Sequence, residues 1–131
     1  MPKTFYVGIK GVIVSDSKAL ILKSSDDDRW DLPGGRINDS EAVEEALSRE
    51  LREELPSIGN FKIGNLLNVF RLDHDLTSGN GLVLIYFKVT ADKFDIQLSD
   101  EHSDFAWVDG EEIDTYKLED GFKDAVKLAL S

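Results

Sequence analysis

Residues 33–56, PGGRINDSEAVEEALSRELREELP, decide the fold. From Ser40 to Leu55 nearly every residue is a good helix former, and no glycine or proline interrupts the run until Pro56 ends it. The pattern predicts a helix over 40–55, entered from a special loop at Pro33-Gly34-Gly35. At ~100° per residue, with Val43 at zero, Ala46 lies near −60° and Leu47 near +40°, so these three define an inward stripe. On the same wheel Glu50 falls at about −20°, Glu54 at about +20° and Glu53 at about −80°. Three carboxylates therefore sit on the apolar side, while Glu45, Ser48 and Arg52 occupy the opposite face and Glu44 stays a surface charge.

A Glu-rich helix is ordinarily a solvated surface. Here the angles argue against that reading for three residues. Carboxylates at i, i+3 and i+4 are neighbours that repel and raise one another's pKa, and burying them uncompensated costs several kcal/mol per ion. A hard divalent cation such as Mg²⁺ or Mn²⁺ removes the difficulty, because it prefers oxygen ligands and reverses the local electrostatics. Arg49, on the flank of this face, is placed to orient one of the carboxylates by a charge-assisted hydrogen bond. A weak surface pair with Glu45 or Glu53 is equally open to it.

Outward from the helix the chain reads as strands. Phe5–Val14 and Ala19–Lys23 flank a turn at Ser15-Asp16-Ser17, and Trp30-Asp31-Leu32 leads into the glycine pair. Beyond Pro56, Phe61–Leu72 and Gly81–Thr90 are predicted as a hairpin or as neighbouring strands. Phe105–Val108 is a short strand and Gly121–Leu130 a closing helix. This order suggests an α/β fold, an α/β/α sandwich with a mixed central sheet, as one domain over residues 1–131.

Composition narrows the function. Fifteen Lys plus Arg against 26 Asp plus Glu leave a net charge of −11, which argues against a basic nucleic-acid-tracking surface. With 41% hydrophobic residues the chain can build a core, so wholesale disorder is excluded. There is no cysteine, which removes disulfide scaffolds, thiolate metal sites and cysteine nucleophiles and fits a reducing cytosol. Met1–Ser15 lacks the features of a signal peptide and no apolar run is long enough for a bilayer, so a soluble, cytoplasmic protein without membrane partners is expected.

The spacing of the central stretch carries a resemblance. Gly35, five residues, Glu41, seven residues and Arg49-Glu50-Leu51-Arg52-Glu53-Glu54 closely resemble the Nudix box, and Trp30-Asp31-Leu32-Pro33-Gly34-Gly35 is similar to the segment that precedes it in that family. Pro56 and Ser57 depart from the Gly and the aliphatic residue that end the box, with Ile58 one step late. Ala42 replaces a frequent Ser, so helix capping is expected from Asp39 or Ser40.

The resemblance implies a Nudix pyrophosphohydrolase that cleaves the pyrophosphate linkage of a nucleoside diphosphate derivative with Mg²⁺ or Mn²⁺. By position, Glu50, Glu53, Glu54 and the Gly34 carbonyl become metal ligands, Glu53 or Glu54 assists the water, Arg49 orients, and Glu41 is a supporting acid. An additional acid from a later loop serves parts of the family, and Glu101 is the candidate. His102 is a weaker candidate base, and a metal role for His74 between Asp73 and Asp75 is discounted. Arg36 and Arg71 are expected at the phosphates by charge alone, and Tyr6, Phe70, Phe87 and Trp107 are expected in the core rather than on a base. Subfamily markers for ADP-ribose or dinucleoside polyphosphate substrates are missing around Arg71–His74, which leaves nucleoside triphosphates or nucleotide sugars preferred. The rivals are a nucleotide-sensing domain that has lost catalysis, which intact box carboxylates oppose, and an acidic interaction module. A homodimer follows from family habit only.

Overall fold

The structure, a computed structural model, describes residues 4–72 and 79–131. His74 and its flanking aspartates lie outside the described residues. Among those described, seven strands form one mixed sheet in the order β3-β2-β1-β6-β5, with β4 on β1 and β7 on β2. The strands are β1 (Phe5–Ser15), β2 (Lys18–Ser24), β3 (Trp30–Asp31), β4 (Gly34–Arg36), β5 (Phe61–Leu72), β6 (Gly81–Ala91) and β7 (His102–Val108). Helix α1 (Val43–Glu54) covers one face, and a short 3-10 helix (Glu112–Thr115) and α2 (Asp120–Leu130) cover the other.

Each face has its own core, because successive strand residues point to opposite sides. Ile9, Ile13, Leu20, Leu22 and Val89 meet Leu47, Leu51 and Leu55 of the α1 layer. Val12, Ile21, Leu84 and Tyr86 meet Phe122, Ala125 and Val126 of α2. Both helices are held by stripes of apolar residues; removing one, as in Leu51→Ala, costs about 2–5 kcal/mol in a close-packed interior. The pairing expected for the two long strands is present, with β5 antiparallel to β6, and β6 is also parallel to β1. No helix among the described residues is long and apolar enough to cross a membrane.

The sheet opens where the site lies. The β1–β2 hairpin pairs only at Val14–Ala19 and Ser15–Lys18, and the strands then separate. Residues 30–36 fill the opening: Trp30 and Asp31 pair with β2, Pro33 accepts a hydrogen bond from the Gly11 N–H at 2.8 Å, and Gly34–Arg36 pair with Gly8–Lys10 of β1. The glycine pair, expected as loop, is thus a short strand. Gly34 has φ +142°, and a Cβ there would lie 2.0 Å from the Ile9 carbonyl oxygen. Only glycine fits that approach of two backbones.

The helix starts later than expected, at Val43, with Ala42 as its N-cap and no side-chain cap. Neither Asp39 nor Ser40 caps it; Ser40 instead takes φ +70° in the loop before it. Glu44 and Glu45 in the first turn compensate the helix dipole. At the other end the departures from the box resolve locally. Ile58 donates its N–H to the Leu55 carbonyl at 3.0 Å and buries its side chain in the α1 core, one step later than the box places its aliphatic residue. The positive-φ glycine of this turn is Gly59, at φ +68°.

Candidate active site

Helix α1 delivers its carboxylates to the opening in graded depth. Glu54 is 6% exposed, and its Oε2 accepts the Gly34 N–H at 3.0 Å. The Glu50 side chain is 15% exposed and packs so closely on Gly35 that a Cβ there would lie 2.5 Å from its carboxyl carbon. Glu53 corrects the wheel: its side chain is 59% exposed, because about −80° is the margin of the stripe and not its centre. Two glutamates face inward and the third stands at the rim.

Arg49 ties the group together. Its Nε donates to Glu41 Oε2 at 2.6 Å and its Nη2 to Glu41 Oε1 at 3.0 Å, a bidentate pair. Its Nη1 donates to Glu50 Oε1 at 2.9 Å and faces Glu53 Oε2 at 3.3 Å, and its Nη2 also reaches the Arg36 carbonyl. Glu41 in turn accepts the Asn38 N–H at 2.9 Å, so its acid ties the loop to the helix. The Arg49 guanidinium, then the Asn38 N–H, hold the Glu41 carboxyl below its ordinary value. Arg49 thus bridges Glu41 and Glu50 and also makes the i,i+4 pair with Glu53.

Burial dominates Glu54, pushing its pKa up to about 8 against the pull of Lys10 and the Gly34 N–H; the charges of Asp31 and Glu50 raise it further. A carboxyl held out of water among other acids suits a cation-binding role. The loop before β7 adds to it. A carboxylate oxygen of Glu54, one of Glu101 and a ring nitrogen of His102 lie within 4.8 Å of one another. The Glu101 carbonyl accepts the Ser25 N–H at 3.0 Å, and the Asp100 carbonyl accepts the Ser25 hydroxyl at 2.8 Å, which pins this loop to the end of β2. His102 is buried, and burial lowers its pKa.

A cleft of about 430 Å³ opens on the α2 side, lined by Lys10, Trp30, Asp31, Leu84 and Phe122 among others. Lys10, 12% exposed at its side chain, donates to Asp31 Oδ2 at 3.3 Å and to the Leu32 carbonyl at 3.2 Å. It is the residue the sequence reading missed. Its signal was a single lysine inside the apolar run Phe5–Val14, next to Gly11. Trp30 and Phe122 are the cleft's aromatics, each in edge contact with a tyrosine, Tyr116 and Tyr86 respectively.

Arg36 and Arg71 are not among the residues that line this cleft. Arg36 lies 4.1 Å over the Tyr6 ring and Arg71 4.9 Å over the Phe5 ring, and these consecutive strand residues point to opposite faces. Because Gly35 faces Glu50, the next residue in β4 is turned away from it. Phe70, Phe87 and Trp107 pack into the cores as expected, whereas Tyr6 is 36% exposed beneath Arg36.

The site is thus a strand-like glycine pair set against an arginine-braced row of glutamates, in a mixed sheet between two helices. The chain belongs to the NUDIX domain family, whose profile matches residues 6–129, and is a Nudix pyrophosphohydrolase. It is similar to the nucleoside triphosphatase NudI of Escherichia coli O81 (31% identity, over 82% of this chain and 84% of the relative) and of Salmonella paratyphi B (34%, with the same coverage). Among solved structures, the MutT protein from Methanosarcina mazei Go1 shares the fold with a TM-score of 0.80 at 24% identity, covering 97% of this chain and 94% of the other. The E. coli dihydroneopterin triphosphate pyrophosphohydrolase does so with 0.79 at 18%, covering 95% and 96%.

Proposed function

We propose that the protein hydrolyses a nucleoside triphosphate to the nucleoside monophosphate and pyrophosphate, with Mg²⁺ or Mn²⁺ held by Glu50, Glu53, Glu54 and the Gly34 carbonyl. The observation that carries this reading is the buried Glu54 carboxyl, drawn up to about 8 by burial and gathered with Glu101 beside an aromatic-walled cleft. The similarity to nucleoside triphosphatases favours the triphosphate over a nucleotide sugar.

The donor set fits a hard divalent cation, since it is dominated by carboxylate oxygens on a rigid helix. When bound, such an ion neutralises charge on the phosphates and lowers the pKa of water. The chain's own residues do the rest. Glu53, Glu54 and Glu101 are the carboxylates available to take the proton of the attacking water. Arg49 holds Glu50 and Glu53 in register through its pairing with Glu41. Lys10 contributes the positive charge that pulls on the buried Glu54, and in the cleft it draws a phosphate oxygen or a polar base edge toward that acid. Arg36 and Arg71 stand outside this scheme.

A panel of nucleoside triphosphates, nucleotide sugars and dinucleotides, assayed with Mg²⁺ and with Mn²⁺, tests the reading. Monophosphate and pyrophosphate should be released from at least one triphosphate, and the release should be lost in Glu53→Gln. Nucleotide binding without turnover under either metal refutes it in favour of a sensing role.

A further inference from the structure

We propose that His102 supplies a nitrogen ligand to the divalent-metal site, beside Glu54 and Glu101, and thereby biases it toward Mn²⁺ over Mg²⁺. The inference rests on the metal-site reading above and extends it to a donor of a different kind.

The geometry begins with an irregularity in the sheet. β7 pairs with β2 in step from Val108–Ala19 to Asp104–Lys23, and then His102, not Ser103, stands opposite Ser24. One extra residue in β7 reverses the alternation carried back from Val108. In regular pairing His102 would share the face of Asp104 and Ala106. The bulge turns it to the other face, that of Leu22 and the α1 carboxylates. The turn is fixed by the backbone, with the His102 N–H donated to the Ser99 carbonyl at 3.2 Å and the Ser103 hydroxyl to the Ser24 carbonyl at 3.3 Å.

The ring that arrives there is 9% exposed, and its buried Nδ1 has no hydrogen-bond partner among the described residues. A buried ring nitrogen without a partner is costly unless something unrepresented among the side chains satisfies it. The groups gathered with this ring are Glu54 and Glu101, within 4.8 Å. Two carboxylate oxygens and an imidazole nitrogen converging from α1 and from the bulge make a mixed oxygen and nitrogen donor set. Such a set suits Mn²⁺ better than Mg²⁺, which favours oxygen.

The sequence has two histidines, so a His74→Gln variant grown with ¹⁵N-histidine carries its label at His102 alone. Pulsed EPR of this protein loaded with Mn²⁺ should show ¹⁵N coupling of the size given by a directly bound imidazole. Bound Mn²⁺ without that coupling overturns the inference while leaving the glutamate site standing. Failure to bind Mn²⁺ at all overturns both. In calorimetric titration, His102→Gln should weaken Mn²⁺ binding about tenfold and Mg²⁺ binding less than about threefold. Equal loss for the two metals counts against a nitrogen ligand, and the labelled spectrum stands as a test should His102→Gln not fold.

Discussion

Glu54→Gln should make the metal-free protein more stable at neutral pH while abolishing its catalysis. The carboxyl has an ordinary value of 4.5 in the unfolded chain and about 8 in the folded one, with burial the first cause. For an acid raised on folding, the sign is unfavourable as pH increases. Below pH 4.5 the group is protonated in both states and contributes nothing. Between 4.5 and 8 the unfolded chain gains its charge while the folded one resists, so stability falls with rising pH and levels off above 8. Integrating the two titrations gives a penalty of about 3 kcal/mol at pH 7, of which about 2.5 kcal/mol accumulates between pH 5 and pH 7. Against a total stability of roughly 5–15 kcal/mol this is large. Glutamine resembles the protonated acid in shape, retains an acceptor for the Gly34 N–H, and does not titrate.

The assay is urea unfolding of both proteins in EDTA from pH 5 to pH 8. The wild type should lose about 2.5 kcal/mol relative to Glu54→Gln between pH 5 and pH 7. Other titrating groups do not mimic this. Glu41, lowered by Arg49, contributes stability that is lost only as pH falls below its ordinary value of 4.5. His102, lowered by burial, contributes stability that rises with pH toward 6.5 and is common to both proteins. Adding Mg²⁺ should restore the wild type more at pH 8 than at pH 5.5, because the ion competes with the proton, and should leave the variant unchanged. Parallel pH curves for the two proteins would refute the claim that Glu54 is buried at a cost the metal offsets.

Four further outcomes follow from the contacts. Gly35→Ala places a methyl 2.5 Å from the Glu50 carboxyl, so kcat should fall at least about tenfold while urea unfolding changes little, since the displaced group is a side chain end. Gly34→Ala meets the Ile9 backbone at 2.0 Å instead, and thermal melting should show destabilisation of about 3 kcal/mol or more. Arg49→Lys cannot reproduce the bidentate pair with Glu41; steady-state kinetics should show kcat lowered about 10- to 100-fold, and a wild-type rate would show that Arg49 does not position the acids. Lys10→Met removes the charge facing Asp31 and the buried acids, so KM for the nucleotide should rise more than kcat falls, with the two constants separated by a substrate titration.

The elements that were legible in the sequence are those fixed by local chemistry. Most of the run from Ser40 to Leu55 is a helix, from Val43 to Glu54, and the β-branched runs around it are strands, because period and propensity agree there; the helix starts three residues later than the pattern predicts. The glycine pair was legible as a constraint but not as a strand, since its pairing with Gly8–Lys10 depends on β1 and β2 separating elsewhere. Glu101 was a candidate from its distance ahead of Trp107 and His102 a weaker one as a base, but the place of the His102 ring beside Glu54 was not legible, because a bulge reverses its face and no residue pattern marks the bulge. Arg36 and Arg71 are candidates by charge alone, and neither lines the cleft. Each has an aromatic ring to lie on, whereas the lysine that reaches the site sits in an apolar strand where a cation is out of place. A misplaced polar residue was the better signal in both senses, for Lys10 in a strand as for Glu54 in a helix.

The opening of the sheet explains why these two misplaced charges occur together. A continuous β1–β2 ladder would separate the α1 layer, which carries Glu54, from the α2 layer, which carries the cleft. The hairpin stops after Ser15–Lys18 and Val14–Ala19, and residues 30–36 cross between the strands instead. That crossing gives Glu54 the Gly34 N–H on one side, and gives Lys10 the Asp31 carboxylate and the Leu32 carbonyl on the other. The two side chains are then close enough for the lysine's charge to pull on the acid through the opening. In a chain of net charge −11, this cation is held between the Asp31 carboxylate and the buried Glu54. Widening the β1–β2 ladder by redesigning residues 30–36 should therefore separate the α1 carboxylates from the cleft even if every one of them were retained.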